Sequence, residues 1–462
     1  MDRRHFLQSP AGFLGLVSLA QLLAEEPAQA AVQPQRTHFT AKADRCIFIF
    51  LAGGTSHIDL FDPKPKLDDL HGKPIPASMV KGVPFAFTDP QKSFLMRSPY
   101  AFKKHGQSGA TISEMLPHIA RYADDLTIIR SMHHNSFAHA QAELFSLTGR
   151  EVVGHPTNGA WLSYGLGQAS QELPAYVTLI TGGAPVARSL TWGSGYLPAQ
   201  HAGVLFRNQG EPLLNLSNPD GVTRETRREQ LDALAALDQI QRARTGDANI
   251  DSRIANYELA YRMQVAAPSL TDLKQETEAI RQSYGIEREG DEGHFARNCL
   301  LARRLVEKGV RFVSLLHRKW DSHKELYEHY PGLCREVDQP IAALLKDLKD
   351  RGLLQRTLVV FATEFGRTPF TENVKPGPKV GRDHHPMAYT MWMAGGGTRP
   401  GTYGATDDLG WNITENPVHL HDFHATMLHL FGFDHTRLTY PYRGLNHRLT
   451  DQAGKVIRQL IL

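Results

Sequence analysis

The stretch "CIFIFLAGG" at residues 46–54 decides the fold of this chain. A short, continuous apolar run that ends in glycines is typical of a strand buried on both faces and followed by a loop. Five further runs of this character are predicted to be strands, at 125–132, 175–180, 310–317, 356–363 and 388–396. Helical periodicity separates them, as in the segments that end before Gly309 and Gly352. Strands that alternate with helices predict an α/β fold with a doubly wound, mainly parallel sheet and helices on both faces.

The composition is that of a globular protein. The 462 residues are 41% hydrophobic and 21% charged, which argues against a disordered or fibrous chain. We expect one α/β domain over residues 31–462 with a helical insertion at about 205–295, where the sequence is charged, helix-forming and free of strand patterns. The net charge of +3, without a dense block of Lys or Arg, excludes a nucleic-acid binder. Three widely spaced cysteines predict neither a disulfide framework nor a zinc-thiolate site.

The first 30 residues are predicted to be an export signal. Arg3 and Arg4 precede the apolar stretch "GFLGLVSLAQLLA", and "AQA" ends at Ala30 with small residues that suit a signal peptidase. The twin arginines favour the Tat export machinery over an ordinary secretory signal or a lipid-facing anchor. The apolar stretch is too short for a stable transmembrane anchor, and no later segment is long enough. A periplasmic or extracellular location is therefore expected, with folding before transport.

Four polar clusters follow predicted strands, at the edge of the sheet where ligands of such folds bind. They are "GGTSHIDLFDPKP" (53–65) with Asp59, "RKWDSH" (318–323) with Asp321 and His323, "EFGRTP" (364–369) with Glu364 and Arg367, and "GRDHHP" (381–386) with Asp383 and His384. Asp62 precedes a proline and fits a turn, so Asp59 is the better candidate of the first cluster. Asp321 and His323 are two residues apart and can converge on one ion if the backbone is extended. Arg367 is predicted to hold an anionic substrate group through paired hydrogen bonds.

A metal site is the most economical explanation of these clusters. The chain has 23 histidines, many of them beside acids. Mixed imidazole and carboxylate ligands predict a divalent metal (zinc, manganese, iron or calcium), and two such ions would clamp a phosphoryl or sulfuryl centre. A metal-free acid/base site built from His and Asp is the alternative that the residues leave open.

These clusters, with "HAQAELFSLTGR" (139–150) and "HDFHATMLHLFG" (421–432), occur in the order expected of DUF1501 proteins. The chain resembles that family, a sulfatase-like group within the alkaline phosphatase superfamily. The resemblance implies two metal ions at the carboxyl edge of the sheet and a nucleophile at the head of a helix. Counting back from Arg150 puts His139 at the place of the sulfatases' modified cysteine. An imidazole there can attack, bind metal or act as acid or base, but it cannot form an aldehyde hydrate.

The chain also departs from the superfamily pattern. Gly53 stands where an acid is expected after the first strand, which leaves Asp59 or His57 as near substitutes. Glu364 and Phe365 stand where the superfamily tends to have Asp-His, so one imidazole ligand is missing. The pairs Asp321 with His323 and Asp383 with His384 match the remaining metal-binding places. His421 and His424 are expected to have packing roles.

The resulting hypothesis is an exported, metal-dependent hydrolase of a sulfate or phosphate ester, with a small-molecule or saccharide ester as substrate. It assigns metal binding to Asp59, Asp321, His323, Glu364, Asp383 and His384, a nucleophile or ligand role to His139, and the anion to Arg367. The alternative is a non-catalytic binding or assembly component at the cell envelope, which the missing nucleophile and first-strand acid favour. A third reading is an esterase or lyase that uses His139 with Asp59, for which no oxyanion donors are identifiable.

Overall fold

The structure, a computed structural model, describes residues 35–462 except residues 83, 84, 86, 87, 215 and 248. The export signal expected at residues 1–30 lies outside the described residues. The strands of the described part are β1 (Arg45–Leu51), β2 (Phe102–His105), β3 (Ala110–Ser113), β4 (Leu126–His133), β5 (Tyr176–Thr181), β6 (Val204–Phe206), β7 (Phe312–His317), β8 (Thr357–Ala362), β9 (Gly366–Thr371), β10 (Arg382–His385), β11 (Tyr389–Ala394), β12 (Gly401–Tyr403), β13 (Ala405–Thr406), β14 (Ile413–Glu415), β15 (Val418–His419), β16 (Tyr440–Tyr442) and β17 (Leu445–His447).

The α-helices connect these strands. They are α1 (His57–Leu60), α2 (Lys66–Leu70), α3 (Ala77–Val80), α4 (His139–Thr148), α5 (Asn158–Leu166), α6 (Arg224–Thr245), α7 (Asn249–Thr271), α8 (Glu278–Tyr284), α9 (Gly290–Glu307), α10 (Leu326–Asp350) and α11 (Leu420–Leu430). Short 3-10 turns lie at Ile119–Asp125, Arg188–Trp192, Ala199–His201, Leu273–Gln275, Leu354–Arg356 and Arg458–Leu460. Within the described ranges, none of the helices is long and apolar enough to cross a membrane.

A nine-stranded sheet forms the centre of the molecule. Its order is β12-β4-β11-β8-β1-β7-β5-β6, with β15 also paired to β4. β1 pairs in parallel with β7 and with β8, and β5 pairs in parallel with β6 and with β7. The predicted mainly parallel sheet is confirmed, and all six predicted strands belong to it. β11 runs antiparallel to both β4 and β8, because the chain returns from β8 through the hairpin β9–β10 and not through a helical crossover.

Helices cover both faces of the sheet, as predicted. Side chains of β1 alternate between two hydrophobic cores, with Ile47 and Ile49 in one and Phe48 and Phe50 in the other. The first core is completed by α9 and α10, and the second by α5 and α11. Burial on both faces explains why β1 reads as a continuous apolar run instead of an alternating one.

The charged segment of the sequence forms helices α6, α7 and α8, between the edge strand β6 and the core helix α9. Arg228 lies 2.5 Å from Glu258, and Arg242 lies 2.9 Å from Asp251, so ion pairs join α6 to α7 along their length. α7 contributes Met263 to the main core, which leaves α6 as the outer helix. The division of the chain into an α/β domain with a helical insertion stays a prediction.

Candidate metal centre

The site is built where the carboxyl ends of β1, β4, β7 and β8 meet at one edge of the sheet. His139 is the first residue of α4, which follows β4, and Asp321 and His323 follow β7. Glu364 follows β8 directly. His384 was predicted to follow a strand of the parallel sheet. Instead, residues 382–385 themselves form a strand, β10, outside that sheet. β10 pairs antiparallel with β9, and this hairpin carries His384 to the site opposite Arg367.

Three imidazoles and one carboxylate converge at this edge. The Nε2 atom of His323 lies 2.9 Å from Asp321 Oδ1 and 2.9 Å from His384 Nε2. The Nε2 atom of His139 lies 3.2 Å from Asp321 Oδ2. Ligand atoms of these four residues all lie within 4.8 Å of one another. The structure therefore brings together His139, Asp321, His323 and His384, which the sequence placed in one site.

The other nitrogen of each imidazole is held by an acceptor. His139 Nδ1 lies 2.8 Å from Glu364 Oε1, His323 Nδ1 contacts Glu372, and His384 Nδ1 lies 2.7 Å from the carbonyl oxygen of Phe137. Because carboxylates and carbonyls accept hydrogen bonds, these contacts place the imidazole proton on Nδ1 and turn the Nε2 lone pair toward the centre. This arrangement is the outer shell found around metal-ligating histidines.

The converging ring nitrogens offer a place for a cation. The Nε2 atoms of His323 and His384 face each other at 2.9 Å, which is repulsive when both carry lone pairs. His139 Nε2 is buried and has no hydrogen-bond partner among the described residues. Two imidazoles facing one another, a third with an orphaned nitrogen and a shared carboxylate are a donor set that fits a divalent metal such as zinc.

The electrostatics of the cluster agree with this fit. Burial opposes ionisation of Asp321, but the contacts with His139, His323 and His384 outweigh it and hold the pKa of Asp321 well below its usual range. Burial also opposes a proton on His139, yet the contacts with Asp321 and Glu364 prevail and raise the pKa of His139 to about 9. Without another cation, the cluster thus takes up a proton on His139, and a metal ion would compete with that proton.

Arg367 does not face the substrate side. Its guanidinium is fully buried, donates to the carbonyl oxygens of Gly53 and Gly54, and lies 2.7 Å from Asp321 Oδ1. All of these partners belong to the protein itself, so the structure places Arg367 inside the site as a support. Arg367 orients Asp321 and ties the loop after β1 to the loop after β7.

Asp59 lies away from the cluster. It is fully buried, accepts a hydrogen bond of 2.5 Å from Ser56 Oγ, and is paired at 2.9 Å with the buried guanidinium of Arg382. These partners use both carboxylate oxygens for structure, since Arg382 also reaches Asp59 Oδ1 at 3.4 Å. The structure therefore places Asp59 in a buried ion pair, apart from the four converging groups.

Replacement of Asp59 by Asn is expected to lower the free energy of unfolding by about 3 kcal/mol, because it leaves the buried Arg382 without a counter-charge. The metal-to-protein ratio of the folded fraction is expected to stay unchanged. Chemical denaturation and elemental analysis measure the two effects. The exposed Asp68→Asn is the control, with a loss of less than about 0.5 kcal/mol. Loss of metal from a stable Asp59→Asn protein would instead return Asp59 to the ligand set.

Glu364 and Asp383 lie beside the four converging groups. Glu364 Oε1 accepts the backbone N–H of Gly53 at 2.7 Å in addition to contacting His139. Asp383 accepts hydrogen bonds from the Thr88 hydroxyl at 2.7 Å and from the backbone N–H of His384. With His323 and Glu372 it forms a second set of side chains whose ligand atoms lie within 4.8 Å of one another. Glu364 thus orients His139, and Asp383 fixes the backbone of His384.

Glu372 was missed in the sequence. It follows β9 directly, and only the pairing of β9 with β10 brings it beside His323. Its motif, "TEN", is an ordinary turn sequence, so no local signal distinguishes it.

The C-terminal histidines support α4 from the opposite end. His421 Nε2 lies 2.9 Å from the carbonyl oxygen of Gly149, and His424 Nε2 lies 2.9 Å from that of Ser146. These are carbonyls at the end of α4, which stops at Gly149 in the left-handed conformation (φ 69°). The two side chains therefore lie in structural positions and help to fix the helix that presents His139.

A cleft of about 760 Å³ opens beside the cluster. It is lined by Ala52, Gly53, His139, Glu143, Gly182, Val186, Arg318, Lys319, Asp321, Glu328, His329, Gly332, Leu333 and Glu336. Lys319 is paired with Asp291, whereas Arg318 has no ion-pair partner in the described part of the chain. Burial and the nearby charge of Glu364 raise the pKa of Glu143 to about 7. The cleft thus offers a cation and a carboxyl group that exchanges protons near neutral pH.

Residues 43–461 match the family described as "Protein of unknown function (DUF1501)", so the chain belongs to that family. Among curated proteins, none matches this sequence. The chain is similar to the lipoteichoic acid synthase LtaP from Listeria monocytogenes, with 10% identity and a TM-score of 0.37 over 89% of this chain and 78% of that one. It is also similar to the PsFucS1 sulfatase from Pseudoalteromonas sp., with 13% identity and a TM-score of 0.36 over 92% and 72%. A TAB5 alkaline phosphatase mutant with Mg bound shows 8% identity and a TM-score of 0.31 over 79% and 94%. All three TM-scores are below 0.5, so these structures carry no argument about the site.

Proposed function

We propose that this DUF1501 protein is an exported, metal-dependent hydrolase that acts on a phosphate or sulfate ester. The observation that carries the proposal is the convergence of three imidazole Nε2 atoms on Asp321, each imidazole being held from behind by an acceptor. When bound, a divalent ion would supply Lewis acidity and stabilise negative charge on the ester oxygens. The cleft beside the cluster supplies room for the remainder of the ester.

His139 serves this site as a ligand and not as a nucleophile. Its Nδ1 is engaged by Glu364, and its Nε2 lies 3.2 Å from Asp321 Oδ2, a position that suits a metal ion shared with this carboxylate. The residues that line the cleft include no Ser, Thr or Cys in the described part of the chain. Water is proposed as the attacking group, in a direct hydrolysis without a covalent intermediate on the protein.

Glu143 is the candidate general base. It lies one turn after His139 on α4 and lines the same cleft. Its two oxygens accept the backbone N–H groups of Val186 and Ala187 at 3.0 and 2.7 Å, which leaves each oxygen a second lone pair. These bonds fix the carboxylate in place, and its pKa of about 7 suits proton transfer at neutral pH.

Replacement of Glu143 by Gln is expected to lower kcat at least about 100-fold while bound metal is retained. A base works when deprotonated, so kcat of the unsubstituted protein is expected to rise with pH through about 7. That rise is expected to be missing from the variant. Steady-state kinetics from pH 5 to 9 measure both effects, with the exposed Glu151→Gln as control. An unchanged pH profile in Glu143→Gln would remove Glu143 from the mechanism.

The proposed function is tested by elemental analysis of protein purified without chelators, together with assays on aryl phosphates and aryl sulfates. Stoichiometric metal and turnover are expected, and both are expected to be lost in His139→Ala. The exposed His71→Ala is the matched control. Metal-free protein without turnover would overturn the proposal. Stoichiometric metal without turnover of any ester would favour the alternative, a metal-binding component that is not an enzyme.

Export through the Tat route is part of the proposal and is supported by Arg3 and Arg4 before the apolar stretch. Replacement of both arginines by Lys is expected to retain the protein in the cytoplasm of a bacterial host. Fractionation measures this effect, with Arg36→Lys as control. Undiminished export of the double variant would contradict the Tat assignment.

A further inference from the structure

Helix α6 is covered on one side only. Among its 22 residues, Leu231 and Asp238 are the buried ones. Both lie on the face that packs against α7, where Asp238 pairs with Arg253 and Arg228 pairs with Glu258. In the described part of the chain, no ion pair joins the opposite face to another element.

That opposite face is apolar at its centre. Leu237 and Ile240 are 64% and 60% exposed, and the exposed Ala233 and Ala236 lie between and beside them at helical spacing. Exposed apolar side chains in a continuous stripe mark an interaction surface more often than isolated ones do. Because α7 contributes to the core and packs against the other side of α6, this stripe faces away from the rest of the chain.

The stripe is self-complementary. From one end to the other it consists of Glu229, Ala233, Ala236, Leu237, Ile240 and Arg244. The order is symmetric about the bond between Ala236 and Leu237, since each small side chain has a large one at the mirrored position. The acid at one end likewise has a base at the other. The stripe spans about 22 Å along the helix at 1.5 Å per residue.

We propose that α6 pairs with α6 of a second copy of this chain, in antiparallel orientation about a two-fold axis. In a two-fold interface, contacts are reciprocal, so each residue of the stripe meets its mirrored position on the other copy. Ala236 then packs against Leu237, and Ala233 packs against Ile240, which fills space without collision. Glu229 faces Arg244 at both ends, and neither side chain has an ion-pair partner within the described chain. The complementarity of charge and size along the stripe thus favours a second copy of this chain as its binding partner.

The proposal is tested by light scattering after size exclusion and by sedimentation velocity at several protein concentrations. A dimer is expected for the unsubstituted protein. Ile240→Glu is expected to raise the dimer dissociation constant at least about 100-fold, because the substitution occurs twice in the interface. The similarly exposed Leu445→Glu, on β17, is the matched control and is expected to leave the dimer intact.

Charge reversal identifies the pairing itself. Glu229→Arg alone and Arg244→Glu alone are each expected to weaken the dimer about 10-fold, since like charges then face each other. The double variant is expected to restore the original affinity. A monomer at all concentrations, or a dimer that Ile240→Glu leaves intact, would overturn the proposal. Failure of the double variant to restore affinity would overturn the antiparallel pairing. If the protein is a monomer that binds phosphatidylglycerol vesicles, and Ile240→Glu abolishes this binding, the partner of the stripe is a lipid surface and not a second copy. Thermal unfolding of each variant confirms that the helix itself persists.

Discussion

Asp321→Asn is expected to reduce metal affinity and ester turnover by at least about 100-fold while the protein stays folded. Asp321 contacts His139, His323 and His384 and is the shared carboxylate of the cluster. Removal of its charge takes away the anionic ligand, and the amide that replaces it is a poor ligand for a divalent ion. The effect is larger than that of removing an outer carboxylate, for which a loss of 10- to 100-fold is usual.

Stability responds much less to this change. Asp321 pairs with the buried Arg367, but its own side chain is 43% exposed, so water replaces part of the lost interaction. We expect the free energy of unfolding to fall by about 1 kcal/mol. Isothermal titration with zinc and denaturant unfolding separate the two effects, and the exposed Asp220→Asn serves as control. If the Asp321→Asn protein keeps both metal and turnover, the assignment of the metal centre to these residues is wrong.

The sequence predicted those parts of the site that depend on strand ends. Buried parallel strands have a strong local signal, and β1, β7 and β8 each stand out as continuous apolar runs. The residues that follow them share one edge for topological reasons, so Asp321 and Glu364 could be placed without any knowledge of packing. The position of His139 came from the resemblance and from the length of its helix, which ends at Gly149.

The parts that could not be predicted depend on pairing and burial. The hairpin β9–β10 has a bulge between Arg382 and His384, and its register decides that His384 and Glu372 reach His323. No pattern in "GRDHHP" reports this register. Asp59 resembles a ligand in sequence, but a buried Arg382 from the distant β10 neutralises it.

The same limit applies to Arg367. A guanidinium near a predicted anion site fits substrate binding as well as structural support. Its full burial and its bonds to the carbonyl oxygens of Gly53 and Gly54 decide in favour of support, and burial of a particular side chain is not encoded in a local motif.

Gly53→Ala is expected to have the largest effect on stability, with a loss of more than about 4 kcal/mol and little folded protein. Gly53 has a φ of 125°, which side-chain-bearing residues rarely adopt. A Cβ atom there would lie 2.3 Å from the backbone nitrogen of Asp321 and 2.6 Å from the carbonyl carbon of Trp320. Since both are backbone atoms, no side-chain rotation relieves the contact, and the loops after β1 and β7 must separate.

A second glycine isolates the cause. Gly72 has a positive φ of 77°, but a Cβ atom there would meet nothing within 4 Å, so Gly72→Ala carries the conformational cost alone, about 1 kcal/mol. Urea unfolding and soluble yield compare the two variants, and equal losses would refute steric exclusion at Gly53.

The same contact explains why this chain has no acid after its first strand. The backbone that presents Asp321 occupies the space that such a side chain would need, and the Gly53 N–H instead holds Glu364 at 2.7 Å. The chain thus builds its cluster from Asp321 and three imidazoles, with the β1 loop as support and not as a source of ligands.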